Sequence, residues 1–302
     1  MFELWIVVTL AAAVVQNGRT ILQKHMTARL SVLGSTYARF LYGVPLTVIF
    51  ALAMEYLTAA PLPEPNGPFF AYAMVGAVAQ VLGNIFFIAL ITFANFTISA
   101  TYVKTETVLS ALVSFVVIGD TLSSAGLLGI VITFLGCMMI AAARQRLSLG
   151  WLFYAMRDRA ALMGLGVGAL YAIGSTCYRA ASLSLVGEHP ELNAAFTLAC
   201  VAFFQAASLG LWLAIRSPRV ILEVLKAWRT AAWIGVTGVV ASACWFTAFA
   251  LQKTAYVLAV GQIEIVLAYL ASRYIFRETA TAKEFAGIAT AVAGILIVVL
   301  AP

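Results

Sequence analysis

Residues 101–144 read TYVKTETVLSALVSFVVIGDTLSSAGLLGIVITFLGCMMIAAAR, and residues 259–302 read AVGQIEIVLAYLASRYIFRETATAKEFAGIATAVAGILIVVLAP. The two stretches lie over each other without a gap. The register matches acidic residues and glycines: Glu106 with Glu264, Asp120 with Glu278, Gly129 with Gly287 and Gly136 with Gly294. Agreement at so many positions is hard to obtain by chance. The chain therefore contains an internal repeat, and this repeat decides its fold.

The repeat lies within a series of apolar runs, each long enough to cross a bilayer. The runs fall near 4–24, 33–56, 69–92, 98–118, 122–143, 160–184, 191–215, 230–251, 256–276 and 284–301. Five spans separate the matching stretches, so the second copy crosses the membrane in the opposite sense. We therefore predict an all-α integral membrane protein of ten transmembrane helices in two inverted five-helix repeats. The repeats are residues 1–144 and 160–302, joined by a basic loop at 145–159.

The composition excludes an ordinary soluble domain. Hydrophobic residues make up 63% of the 302 residues, charged residues only 10%, and the mean hydropathy is +1.01. A soluble domain carries about 25% charged residues. The net charge of +6 comes from short basic clusters between apolar runs, whereas binding of nucleic acid needs a continuous basic face. We expect contact with membrane lipid and no contact with nucleic acid.

The loop cations divide unevenly between the two membrane faces. Most lysines and arginines, Arg39 among them, are assigned to one face, and Lys253 is the only one assigned to the loops of the other. The positive-inside rule places the basic face in the cytoplasm and both termini outside it. Two basic segments, 144–159 and 217–229, also contain Trp, Leu and Tyr or Val. Each is predicted to be either a short interfacial helix or a solvated loop.

The repeat resembles a known family at its acidic residues. Thr105-Glu106-Thr107 and Ile263-Glu264-Ile265 stand where EamA-type members of the drug/metabolite transporter superfamily carry Leu-Glu-Pro, followed by Asp120 and Glu278 and then a glycine-spaced helix. Both prolines are absent here. Arg39-Phe40-Leu41 also resembles the family pattern. The resemblance implies a ten-helix transporter with a central cavity lined by spans one, three, four, six, eight and nine.

Ionisable residues inside the predicted spans are candidates for function, because each is costly to insert. Glu106 shares a helix face with Ser99, Tyr102 and Ser110, and Glu264 has Gln262 close by. A carboxyl in such a place could take up and release a proton as access alternates. Alternatively, the two carboxylates could pair with cations and only fix the packing.

Two further polar stripes come from spans one and six. Gln16 and Arg19 share one face of the first span, and Tyr178 and Arg179 lie on the sixth. Both arginines could face a cavity or extend to the lipid headgroups. Lys104 points away from Glu106 and is expected to extend to the headgroups or to pair between helices.

Several neutral residues complete the candidate site. Gln80 and Asn84 could bind substrate or join two helices, and Trp245 could contact substrate or pack. The predicted substrate-binding or coupling residues are thus Gln16, Arg19, Gln80, Asn84, Tyr102, Glu106, Tyr178, Arg179, Trp245, Gln262 and Glu264. No catalytic residue, metal site or cofactor is predicted. The two histidines lie in loops, and the sequence has no phosphate-binding glycine loop and no aspartate cluster.

The expected activity is secondary transport by alternating access. The solute is a small polar or zwitterionic organic metabolite such as an amino acid, exported across the inner or plasma membrane by a monomer or a homodimer. The alternatives are a lipid-carrier flippase and a non-transporting receptor or accessory subunit.

The charge asymmetry gives a test of orientation. A reporter that is active only in the cytoplasm should be inactive when fused after Pro302, because the positive-inside rule places that end outside. The same reporter inserted within 145–158 should be active. Activity of the fusion after Pro302 would contradict the predicted orientation.

Overall fold

A computed structural model describes residues 3–26, 29–93, 102–144, 159–267 and 281–300. Within them every regular element is an α-helix. The helices are α1 (Leu4–Met26), α2 (Val32–Thr58), α3 (Gly67–Phe93), α4 (Glu106–Ile118), α5 (Ser124–Arg144), α6 (Arg159–Ser184), α7 (Pro190–Arg216), α8 (Pro218–Lys226), α9 (Trp228–Leu251), α10 (Thr254–Gly261) and α11 (Ala282–Leu300). The predicted Ser99 and most of the inter-repeat loop lie outside the described residues.

Seven of these helices are long and apolar enough to cross a membrane: α2, α3, α5, α6, α7, α9 and α11. α1 is also long, but its second half carries Gln16, Asn17, Arg19 and Thr20. Large apolar side chains such as Val116 are exposed on the outside of the bundle. An exposed apolar belt of this kind suits contact with lipid. The all-helical prediction is confirmed, and the count of ten spans stays a prediction.

The helices of the two halves contact one another in equivalent sets. In chain order, α1, α2, α3 and α5 of the first half correspond to α6, α7, α9 and α11 of the second. Under this correspondence the α1–α9 contact exchanges with α3–α6. The α2–α7 and α5–α11 contacts map onto themselves. Such a set is expected of two inverted repeats related by a pseudo-two-fold axis in the membrane plane.

The glycines of the repeat form the close contact between α5 and α11. A Cβ on Gly136 would lie 2.3 Å from the backbone nitrogen of Ala291, and a Cβ on Gly294 would lie 2.4 Å from that of Thr133. Thr133 and Ala291 are themselves equivalent in the repeat. Small residues let two membrane helices approach backbone to backbone, which increases van der Waals contact where lipid offers no hydrophobic driving force.

Both halves interrupt a helix at the same position of the repeat. A turn at Lys104 and Thr105 precedes α4, and a turn at Gln262 follows α10. The Thr105 hydroxyl donates to the carbonyl of Tyr102 at 2.7 Å, which gives the chain a local alternative to the helical bond. α6 approaches this turn closely, since a Cβ on Gly168 would lie 2.6 Å from the Thr105 hydroxyl oxygen. Both interruptions occur without the prolines that the resemblance would place there.

The structure corrects the prediction for Arg39 and decides between the two alternatives for the basic segment after Ser217. Arg39 is not a loop cation, because it lies in the second turn of α2 and is 8% exposed. The polar residues Ser35 and Thr36 before it are already inside the bundle, so α2 is buried from its first turn. The segment after Ser217 is helical: α8 is amphipathic, buries Val224 and exposes Arg219. This outcome favours the interfacial helix over the solvated loop.

The contact between α5 and α11 predicts a sharp sensitivity to side-chain size. Gly136→Ala and Gly294→Ala should each lower the thermal unfolding midpoint in detergent, because overpacking costs about 1–3 kcal/mol. Gly166→Ala is the matched control, since a Cβ there meets nothing within 4 Å. An unchanged midpoint in Gly136→Ala would mean that the two helices do not meet at this glycine.

Candidate functional site

A cavity of about 300 Å³ lies between the two halves of the bundle. This volume is at the lower end of small-molecule sites, which are about 300–1,000 Å³. Its wall includes Gln16 of α1, Gln80 of α3 and Tyr171 of α6. The remainder comes from α2, α4, α7, α9 and the region around the turn at Gln262. The six spans that the resemblance implies all contribute, and spans two and seven contribute as well.

Two arginines lie side by side on the wall. Arg19 of α1 is 5% exposed, and Arg39 of α2 is also buried. A Cβ on Gly238 of α9 would lie 3.2 Å from Cγ of Arg39 and 3.9 Å from Cδ of Arg19, so the absence of a side chain there gives both arginines room. Neither arginine extends to the headgroups.

A chain of hydrogen bonds fixes the Arg39 guanidinium. Its Nη1 donates to Oδ1 of Asn84 at 2.9 Å, and Nδ2 of Asn84 donates to the Thr36 hydroxyl at 3.1 Å. Asn84 is fully buried. Of the two roles predicted for Asn84, the structure shows the joining of two helices, because its side chain bonds α3 to α2. The same hydrogen bonds position Arg39 on the cavity wall.

Charged residues of both halves meet at the two helix interruptions. Lys104 Nζ forms an ion pair with Oε1 of Glu264, which is the inter-helix pairing predicted for Lys104. Gln262 Nε2 donates to the Thr107 hydroxyl at 2.8 Å, so the second interruption is also tied to the first half. Glu106 lines the cavity beside this pair. Both repeat glutamates border the cavity, and Lys104 is within electrostatic reach of Glu106 as well, but among the described residues only Glu264 forms an ion pair with it.

Aromatic side chains form another part of the wall. Tyr178 stacks on Phe246 with ring centroids 4.4 Å apart, and Trp245 stacks on Phe249 at 5.6 Å. The Trp245 indole donates to Oε1 of Gln16 at 2.8 Å. These contacts hold the rings at the cavity surface, where they offer an apolar face.

Arg179 closes the bundle at the end where the α4–α5 and α9–α10 connections meet. Its Nε donates to Oδ2 of Asp120 at 3.2 Å, and its Nη1 donates to the carbonyls of Phe249 and Gln252 at 2.6 and 2.8 Å. Lys253 Nζ adds a bond to the carbonyl of Thr121 at 2.7 Å. Arg179 is thus neither a headgroup contact nor a cavity residue. It ties the two connections together beyond the aromatic side of the cavity.

Most of the predicted site residues line the cavity, namely Gln16, Arg19, Gln80, Glu106, Tyr178, Trp245, Gln262 and Glu264. Asn84, Tyr102 and Arg179 are not on its wall. Asn84 and Arg179 bond to neighbouring helices, and Tyr102 is buried just before the first interruption. The roles of all these residues in binding stay predictions.

Sequence reasoning missed four polar residues of the wall: Asn17, Arg39, Gln205 and Ser242. Thr20, Tyr171 and Ser175 also line the wall; they lie on the polar stripes predicted for spans one and six but were not included in the predicted site. Arg39 was missed because it lies near the start of its span and was counted among the loops. The available signal was its spacing from Ser35, four residues earlier on the same helix face. Gln205 donates to the Tyr178 hydroxyl at 2.9 Å, a partner that no sequence spacing indicates.

Comparison with known proteins gives a family and a fold. The model of the EamA-like transporter family matches residues 3–142 and again residues 158–300. Chains of solved structures are also similar. One, described only as "Crystal structure of protein", is 15% identical, with a TM-score of 0.69 over 99% of this chain and 97% of its own. No curated protein matches significantly.

The closing contacts of Arg179 predict a change in access. In a variant without the four cysteines, a cysteine placed by Ser242→Cys on the cavity wall should react slowly with a membrane-impermeant thiol reagent added at the Asp120 side. Asp120→Asn removes the charge partner of Arg179 and should raise that rate severalfold.

Glu188→Gln is the matched control, because it removes one exposed carboxylate from the same side without touching the closing contacts. Equal labelling rates in the Asp120 and Glu188 variants would show that the ion pair does not control access from this side.

Proposed function

The chain belongs to the EamA-like transporter family, and we propose that it moves a small polar or zwitterionic organic metabolite by alternating access across the inner or plasma membrane, in the direction of export. The family match confirms the resemblance to the drug/metabolite transporter superfamily and establishes a multi-pass membrane protein of the transporter type. The substrate class, the direction, the membrane and the mechanism are the parts proposed here.

The observation that carries the proposal is the position and chemistry of the cavity. It lies between two inverted halves and draws its wall from both. Two halves that exchange conformations can open such a site to each side in turn. Arg179 ties Asp120 to the carbonyls of Phe249 and Gln252 at one end of the bundle, and we propose that these bonds close the cavity at that end.

The lining suits a solute with both polar and apolar parts. Arg19 and Arg39 offer cationic donors, Glu106 offers a carboxylate, and Trp245 and Phe249 offer an apolar face. Charged residues at the depth of a transporter cavity mark the path of substrates and protons. A zwitterion such as an amino acid could use both kinds of charge.

Glu106 is the carboxyl that we propose for coupling to a proton gradient. Glu264 is engaged by Lys104, so its charge is compensated within the protein. Glu106 borders the cavity and can exchange a proton with whichever side the cavity faces. The repeat places the two glutamates at equivalent positions, and their different partners give them different proposed roles.

The proposal predicts that expression protects cells challenged with a panel of toxic metabolites or analogues, and that Glu106→Gln abolishes the protection. The amide keeps the shape of the side chain but cannot release a proton. In vesicles loaded with the protective solute, efflux driven by a pH gradient should be lost in the variant. Glu64→Gln, an exposed carboxyl outside the spans, is the control and should transport normally.

Other outcomes would favour other functions. Binding of a solute without movement across vesicles would favour a receptor or accessory subunit. Movement of a lipid-linked molecule between leaflets, with no release of a soluble solute, would favour a flippase. Unchanged pH dependence in Glu106→Gln would leave Glu106 as a packing residue.

A further inference from the structure

We infer that Arg19 and Arg39 form a subsite for the carboxylate of an organic anion whose apolar body lies against the aromatic side of the cavity. The inference rests on the proposed function, because it names the substrate class of the same cavity. It narrows that class: a solute without an anionic group is not a substrate.

The first argument is an unsatisfied donor. Arg19 is 5% exposed and lines the cavity, yet its Nε makes no hydrogen bond within the described residues. Buried polar groups in proteins are nearly always hydrogen-bonded, and a buried donor without a partner costs about 1–3 kcal/mol. An acceptor that enters the cavity would remove this cost. The donor belongs to a guanidinium, which recognises carboxylates with paired N–H groups.

The second argument is the missing counter-charge. The described ion pairs join Lys104 to Glu264, Arg179 to Asp120 and His189 to Glu191; none includes Arg19 or Arg39. The hydrogen-bond partner of the Arg39 guanidinium is the neutral amide of Asn84, and its other described contact is the Phe40 ring, which is also neutral. Two adjacent buried cations repel each other, and burial of charge without a partner is unfavourable. An anion between them relieves both effects.

The third argument is the charge balance of the wall. The cations are Arg19, Arg39 and Lys104, and the carboxylates are Glu106 and Glu264, so with both carboxylates ionised the wall has three positive against two negative groups. One positive charge is then left over. A monocarboxylate balances it, whereas a phosphate monoester carries about −1.5 to −2 at pH 7. With Glu106 ionised, the balance therefore favours a carboxylate over a phosphate.

The arrangement of the wall also indicates where the apolar body of the solute would lie. The Tyr171 hydroxyl is within electrostatic reach of both guanidinium groups and of the Glu106 carboxylate, so these groups share one region of the cavity. The stacked rings of Trp245 and Phe249 form the apolar part of the wall. A carboxylate held by the arginines would have its hydrocarbon body against these rings.

The test compares matched compounds on the purified full chain in detergent. The probes are 3-phenylpropanoate, hexanoate and L-phenylalanine, each beside its own amide, with phenethyl phosphate and sodium sulfate as further anions. Affinity is measured by calorimetric titration and by the rise in thermal midpoint, since a ligand that binds the folded state stabilises it. At least one carboxylate should bind about tenfold or more tightly than its amide, because the amide cannot form charge-assisted bonds with both arginines.

Variants link that preference to the two arginines. Arg19→Gln and Arg39→Gln should each weaken binding of the preferred carboxylate about tenfold or more and reduce its advantage over the amide. Arg19→Lys keeps the charge and should retain part of the affinity, which separates charge recognition from a folding defect. Arg219→Gln removes an exposed arginine of α8 and should bind as the parent does. The thermal midpoint without ligand reports whether each variant is folded.

The outcomes separate this inference from the proposed function. The carboxylate subsite is overturned if no carboxylate binds more tightly than its amide. It is also overturned if phenethyl phosphate or sulfate binds more tightly than every carboxylate. Transport of neutral or cationic metabolites in vesicles would then still support the carrier. If carboxylates bind through Arg19 and Arg39 but never cross the vesicle membrane, the subsite stands and the carrier proposal fails.

Discussion

The ion pair between Lys104 and Glu264 joins the two halves of the chain where each half interrupts a helix. Interrupted helices expose backbone groups and charges that lipid cannot solvate, so both interruptions have to lie inside the bundle and against protein partners. The arrangement around them follows from this constraint. α6 comes close at Gly168, the Gln262 amide reaches the Thr107 hydroxyl, and the charged groups face a cavity rather than the lipid.

The repeat gives the bundle its symmetry, and single substitutions within it give the two halves their different tasks. Lys104 of the first copy corresponds to Gln262 of the second, so only one of the two equivalent positions supplies a cation. That cation forms an ion pair with Glu264, whereas none of the described ion pairs includes Glu106. A duplicated scaffold can therefore retain matching contacts at its periphery while its centre becomes chemically unequal.

The sequence predicted the inverted repeat, the helical class and eight residues of the cavity wall, because each has a signature in the sequence: a gapless register, apolar runs of fixed length, and polar stripes at helical spacing. It did not predict which charges pair. Lys104 pairs with Glu264, and Arg179 pairs with Asp120, through tertiary contacts between segments that are distant in the sequence. Arg39 was assigned to a loop because its depth in the bundle depends on where α2 begins. The interruptions at Thr105 and Gln262 were hidden for a similar reason, since neither carries the proline that would mark it.

The contact between α5 and α11 bears on how solutes reach the cavity. Gly136 and Gly294 bring the two backbones so close that a single methyl group has no room between them. A lipid tail is wider than a methyl group and cannot enter this seam. A hydrophobic solute dissolved in the bilayer therefore cannot enter the protein between α5 and α11. Any route from the membrane into the cavity must pass between other helices.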